Sequence, residues 1–125
     1  MKIVALALAA ALLSSCAQQD AALLVTFSGP FAIPRNADKL VLDVVDGTQI
    51  AHRQWCATET AGCPALPAQQ SLSGTVTLVQ SGSSHPRVKL NASLYLSGQA
   101  VGVGQAYGTF SSGQTVPVDL ALSRP

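Results

Sequence analysis

The chain has 125 residues, with only seven Lys+Arg against six Asp+Glu and a formal net charge of +1. So sparse and balanced a set leaves no basic stripe for nucleic acid and no acidic face for cation capture. The length suffices for one compact domain, and Ser, Thr, Gln and Gly must supply most of its polar surface.

The chain begins Met1, Lys2, followed by an unbroken apolar run over residues 3–13. One positive residue, a short apolar core and then small residues are the layout of a secretory signal, expected as a helix. Eleven apolar residues at 1.5 Å each span about 16 Å, roughly half the ~30 Å hydrocarbon core, too short for a permanent span. The run ends Leu13-Ser14-Ser15-Cys16, which resembles the lipobox of bacterial lipoproteins: a branched apolar residue, two small residues, then cysteine. The resemblance implies a diacylglyceryl group on the Cys16 sulfur, cleavage before Cys16, and acylation of the new amino terminus. Each buried methylene adds about 0.8 kcal/mol, so one acyl chain holds marginally and two or three hold durably. Residues 1–15 are then a signal peptide, 16–20 a short lipidated tether and 21–125 the domain. Ala17 stands where an aspartate would suggest inner-membrane retention, which implies a cell-envelope protein at the outer membrane.

Beyond residue 20 the apolar residues recur with period two, the strand signature, and no amphipathic helix is expected. A first strand covers 21–27 and stops at Ser28-Gly29-Pro30, with a short continuation at 31–33 before Pro34. Residues 39–46 set Leu40, Leu42 and Val44 on one face and Asp43 on the other. Asp46-Gly47 supplies a turn into a returning strand at 48–55. Residues 71–80 alternate again, with Leu72, Val76 and Leu78 on one face. The cleanest alternation is 87–97: Val88, Leu90, Ala92, Leu94 and Leu96 inward, Arg87, Lys89, Asn91, Ser93 and Tyr95 outward. Ser97-Gly98 turns into 99–110, and a last strand at 115–123 turns Val116, Val118, Leu120 and Leu122 inward. Pro117 cannot donate to a ladder, which predicts an edge position or a bulge there.

Seven strands with turn signals at short intervals predict an all-β antiparallel sandwich. In pattern the domain resembles the small immunoglobulin-like or transthyretin-like sandwiches of Gram-negative surface lipoproteins, without a family-specific motif.

With Cys16 assigned to lipid, Cys56 and Cys63 remain as an even pair, and an oxidising compartment favours a disulfide between them over free thiols. A metal would need more ligands: His52 is near, but no second His or Cys stands at zinc-like spacing. His52, mid-strand beside Arg53, and His85, before Pro86 in a turn, are read as solvated surface groups. No nucleophile-elbow motif and no paired acid–base residues point to catalysis. Asp38, Asp43 and Asp46 cluster in sequence but lack the regular spacing of a calcium loop, and Asp46-Gly47 is explained by turn chemistry. Asn91-Ala92-Ser93 fits the glycosylation triplet by chance.

On the 99–110 strand Gly102, Gly104, Ala106 and Gly108 leave one face nearly bare, so something approaches it closely. Either large side chains of the facing sheet, such as Trp55 or Phe110, fill it, or Trp55, Gly102, Gly104 and Tyr107 form a groove. The expected function is a structural or protein-interaction module without catalysis or cofactor. It is held to the membrane through lipid on Cys16, with an envelope protein as partner and strand addition at 115–123 as one mode. The alternative is a small-molecule or lipid carrier with a pocket lined by Trp55 and Tyr107. Nothing in the sequence specifies the oligomeric state.

Overall fold

The computed structural model describes residues 2–6, 21–81 and 86–125. The elements are all strands: β1 Lys2–Leu6, β2 Ala22–Gly29, β3 Lys39–Asp46, β4 Gln49–Cys56, β5 Leu72–Ser81, β6 Arg87–Leu96, β7 Gln99–Thr109 and β8 Thr115–Ala121. They form two four-stranded sheets, ordered β1-β5-β2-β8 and β4-β3-β6-β7. From β2 onward the chain alternates between them, a single strand in one sheet and then a hairpin in the other.

Period-two patterning explains why the sheets face each other. Leu23, Val25 and Phe27 of one sheet are buried against Leu40, Leu42, Val44, Val88, Leu90 and Leu94 of the other. Each fully buried aliphatic side chain contributes about 1.5–3 kcal/mol, so this inner layer holds the sandwich together. Phe31, between β2 and β3, drops into the same core at 1% exposure.

Two tight turns set the hairpins of the second sheet. Gly47 at φ 62° opens the β3–β4 turn, and β3 pairs with β4 from Asp46↔Gln49 to Lys39↔Cys56. Ser97 and Gly98, at φ 51° and 83°, make the β6–β7 turn with both central residues left-handed, the geometry whose twist matches two-residue hairpins. The β6–β7 register then shifts between Leu94 and Tyr95: Tyr95 pairs with Ala100, but Leu94 pairs with Gly102. Val101 is therefore an extra residue, and a one-residue shift exchanges the two faces of the rest of the strand. It turns Gly102, Gly104, Ala106 and Gly108 inward and Val103, Gln105 and Tyr107 outward.

The structure departs from the sequence expectation at two places. The sandwich is not wholly antiparallel, because β8 lies parallel to β2, from Ala22↔Thr115 to Ser28↔Ala121. The chain crosses from β7 to the other sheet before β8, so β8 enters beside β2 running the same way. It occupies the sheet edge, as Pro117 requires. The second departure concerns the helix expected over residues 1–15. Lys2–Leu6 instead form β1, antiparallel to β5 from Lys2↔Ser81 to Leu6↔Thr77. A β-branched apolar segment finds hydrogen-bond partners on the sheet edge that it lacks alone. The rest of the signal segment, the cleavage motif, Cys16, the tether and His85 lie outside the described residues. Among the described residues no helix is long and apolar enough to cross a membrane.

Candidate functional site

The predicted disulfide is present: Cys56 and Cys63 are joined with Cα atoms 5.6 Å apart. The local chain brings them together. Thr60 and Cys63 exchange backbone hydrogen bonds of 3.1 and 3.0 Å, closing a turn in which Gly62 takes φ 82°. Cys56 N–H donates to the Pro64 carbonyl at 2.9 Å, and its own carbonyl accepts from Leu66 N–H at 2.7 Å. The bridge thus pins the loop after β4 back on the strand end and seats Leu66 in the core.

The glycine face of β7 is filled. An added Cβ at Gly102 would stand 2.7 Å from Phe31 Cζ, at Gly104 2.5 Å from the Ala121 carbonyl, and at Gly108 2.5 Å from a Leu23 methyl. The glycines are bare because side chains and backbone of the other sheet and of the β2–β3 connection need that space. The occupants are Phe31, Leu120 and Leu23 rather than Trp55 or Phe110. The residues considered as a groove do not meet. Gly102 and Gly104 face the core, Tyr107 stands 51% exposed on the outer surface, and Trp55 lies at the opposite side of the sandwich on β4. Arg87 lies over the Tyr107 ring at 4.4 Å, a cation–π contact covering one end of the outer face.

Trp55 borders a different space. Its ring meets Phe27 edge-on, with centroids 5.9 Å apart, at the mouth of a recess of about 280 Å³. Leu40, Leu66 and Leu72 give it an apolar floor, and Gln69, Ser73 and Thr75 a polar rim. The recess lies where β4 ends one sheet and residues 72–75 of β5 run on beyond the reach of β1 without hydrogen-bonding to β4, leaving the loop after β4 to cover the gap. A Cβ added at Gly74, on its rim, would meet nothing within 4 Å, so the rim is open to solvent.

His52 is surface-exposed, as expected, but it has a partner. Its Nδ1 lies 2.7 Å from Asp43 Oδ1, at side-chain exposures of 56% and 40%. The register explains the contact, since Asp43 and His52 are direct cross-strand neighbours, with Asn91 beyond Asp43 on β6. Counting outward from the Asp46-Gly47 turn already implies this pairing, a signal that treating each strand separately passes over. The pair borders a shallow depression of about 360 Å³ that also holds Asp38, Lys39, Gln54 and Tyr95. Neither serine nor cysteine is among the residues that line it.

The three aspartates play separate parts. Asp38 accepts the Ser97 N–H at 3.1 Å and so braces the β6–β7 turn, Asp43 holds His52, and Asp46 is 2% exposed at the end of β3. Among the described residues no three His, Cys, Asp or Glu converge as metal ligands. Asn91 sits mid-strand in β6. Comparison with protein-family models, with curated proteins and with solved structures finds no match to this chain.

Proposed function

We propose that the chain is the precursor of a lipid-anchored lipoprotein of the bacterial cell envelope, and that residues 21–125 act as a structural or protein-interaction module without catalysis. The observation that carries this reading is Leu13-Ser14-Ser15-Cys16 at the end of a short apolar run with a single leading lysine. The Cys56–Cys63 bridge supports it, because disulfides persist where thiols oxidise, outside the cytoplasm. Cleavage before Cys16 leaves 110 residues (125 minus 15) and removes Lys2, so six Lys+Arg balance six Asp+Glu. Only residues 17–20 then separate the lipid from the domain, which keeps the sandwich close to the membrane. Ala17 favours the outer membrane. Growth with a labelled fatty acid tests the anchor: wild type takes up label and Cys16→Ala does not, whereas equal labelling of both rejects it.

The recess beside Trp55 supports a second reading, a carrier of small apolar or amphiphilic molecules, because an apolar floor with a few polar groups at the rim is the usual make-up of such sites. Trp55 is the only tryptophan, so its fluorescence reports on this space directly. Titration with lauric acid shifts and saturates the emission of a carrier; an unchanged spectrum rejects this reading.

A further inference from the structure

Three of the strands that border the sandwich are guarded against pairing with another chain. β8 carries Pro117 and Asp119, β7 is hydrogen-bonded to Ser123 at Val103, and β4 carries Arg53 on the face it shares with buried Leu42. Charges, prolines and covering segments are the usual means of blunting an edge. β5, one strand in from β1, carries neither charge nor proline along its ten residues, Leu-Ser-Gly-Thr-Val-Thr-Leu-Val-Gln-Ser; its outer side is met by the Gln69 side chain, which accepts the Ser73 N–H at 2.7 Å, and by β1. Its backbone is also poised for a neighbour. Gln80 N–H donates to the Ala21 carbonyl on the β2 side, so even-numbered residues bond β2 and odd-numbered ones turn their N–H and C=O the other way. Over residues 77–81 that outer side is occupied by β1.

We propose that removal of residues 1–15 uncovers this edge and that a second copy of the chain takes it, β5 against β5, antiparallel about Val79. The inference rests on the lipoprotein reading, since only processing removes β1. The choice of a second copy follows from charge and symmetry. A two-fold pairing sets Val79 opposite itself, Leu78 opposite Gln80 and Thr77 opposite Ser81, so any charge in the segment would meet its own like within the same short ladder. β5 has no charge to repel, and the processed chain has no net charge to add long-range repulsion. Val79 and the Thr77–Ser81 pairs would exchange about six backbone hydrogen bonds. Such a contact is small by the standard of stable dimers, so it forms weakly in dilute solution and more fully where the lipid holds both copies on one surface.

The test uses protein extracted from membranes, with Val79→Cys and, on the guarded β8 edge, Asp119→Cys, each with Cys16 intact or as Cys16→Ala. Intact mass reports whether residues 1–15 are present. Under mild oxidation the processed Val79→Cys chain should link into dimers, the processed Asp119→Cys chain should not, and chains retaining residues 1–15 should stay monomeric. Val79→Pro removes only an edge-facing N–H, so strand content by circular dichroism should hold while self-association weakens about tenfold or more, the equivalent of ~1.4 kcal/mol. Processed Val79→Cys that links no better than Asp119→Cys, or equal linking with residues 1–15 present, overturns the proposal and leaves the lipoprotein reading intact. A wild-type chain that keeps residues 1–15 overturns the reading itself.

Discussion

The two long sides of the sandwich are closed in opposite ways. On the β7–β8 side the sheets touch backbone to backbone: Val103 and Ser123 exchange hydrogen bonds of 2.8 and 2.9 Å, while Leu122 N–H, donating to the Ser28 carbonyl at 2.8 Å, keeps the end of that segment on β2 of its own sheet. Glycine makes that approach feasible, since a Cβ at Gly104 would collide with the Ala121 carbonyl. On the β4–β5 side the sheets part. A disulfide-bound loop bridges the gap through Ile33 and Gln69, whose backbones exchange bonds of 2.8 and 3.1 Å, and the recess beside Trp55 remains. One side is sealed by removing side chains and the other is spanned by adding chain. The recess and the outer side of β5 both lie on the spanned flank.

The difference can be broken most directly at Gly104. Gly104→Ala should lower unfolding stability in urea by about 3 kcal/mol, because neither the facing carbonyl nor Leu120 can withdraw without opening the seam. A loss below ~0.5 kcal/mol would show that the closed side has slack. The loop side should depend on its crosslink to a lesser degree. Replacing Cys56 and Cys63 together with serine should cost about 2 kcal/mol and leave the strand signal in circular dichroism unchanged, since the bridge closes a short loop outside the main core. Collapse of the strand signal would mean that the loop holds the open side together.

Gly74→Ala sharpens the contrast by reversing its sign. Nothing stands within 4 Å of the new Cβ, and alanine restricts the unfolded chain, so this variant should gain about 0.5 kcal/mol. A destabilised Gly74→Ala would place a neighbour over the recess. The smallest effect is expected at the outer face. The Asp43–His52 pair is well exposed, so His52→Ala should alter stability by less than about 0.5 kcal/mol at neutral pH. A larger loss in thermal unfolding would mark the pair as more than a surface contact.

Much of the architecture could be read from local pattern. Alternation placed the strands to within a residue or two, the Asp46-Gly47 and Ser97-Gly98 turns announced both hairpins, and Pro117 marked an edge strand. Two cysteines seven residues apart formed the expected bridge. These features depend on neighbours along the chain, where backbone sterics and side-chain periodicity act directly. Even the Asp43–His52 contact lies within reach of that logic, because a two-residue turn determines every pair down the hairpin.

Only the tertiary structure decided the use of the β7 glycines and the character of the edges. From the Ser97-Gly98 turn alone, an unbroken register would bring Tyr107 inward opposite Val88; the extra residue at Val101 brings Gly108 there instead. What selects the shifted register is the bulk of Leu23 on β2, Phe31 in the β2–β3 connection and Leu120 on β8, which need the space that glycine leaves. The parallel placement of β8 beside β2, the parting of β4 from β5 and the pairing of Lys2–Leu6 with β5 are likewise long-range. By itself the sequence determined which segments extend and where they turn, because those choices are made within a few residues. Which strand borders which, and which strand is left at a sheet edge, is decided by packing volume and hydrogen-bond demand across the whole fold.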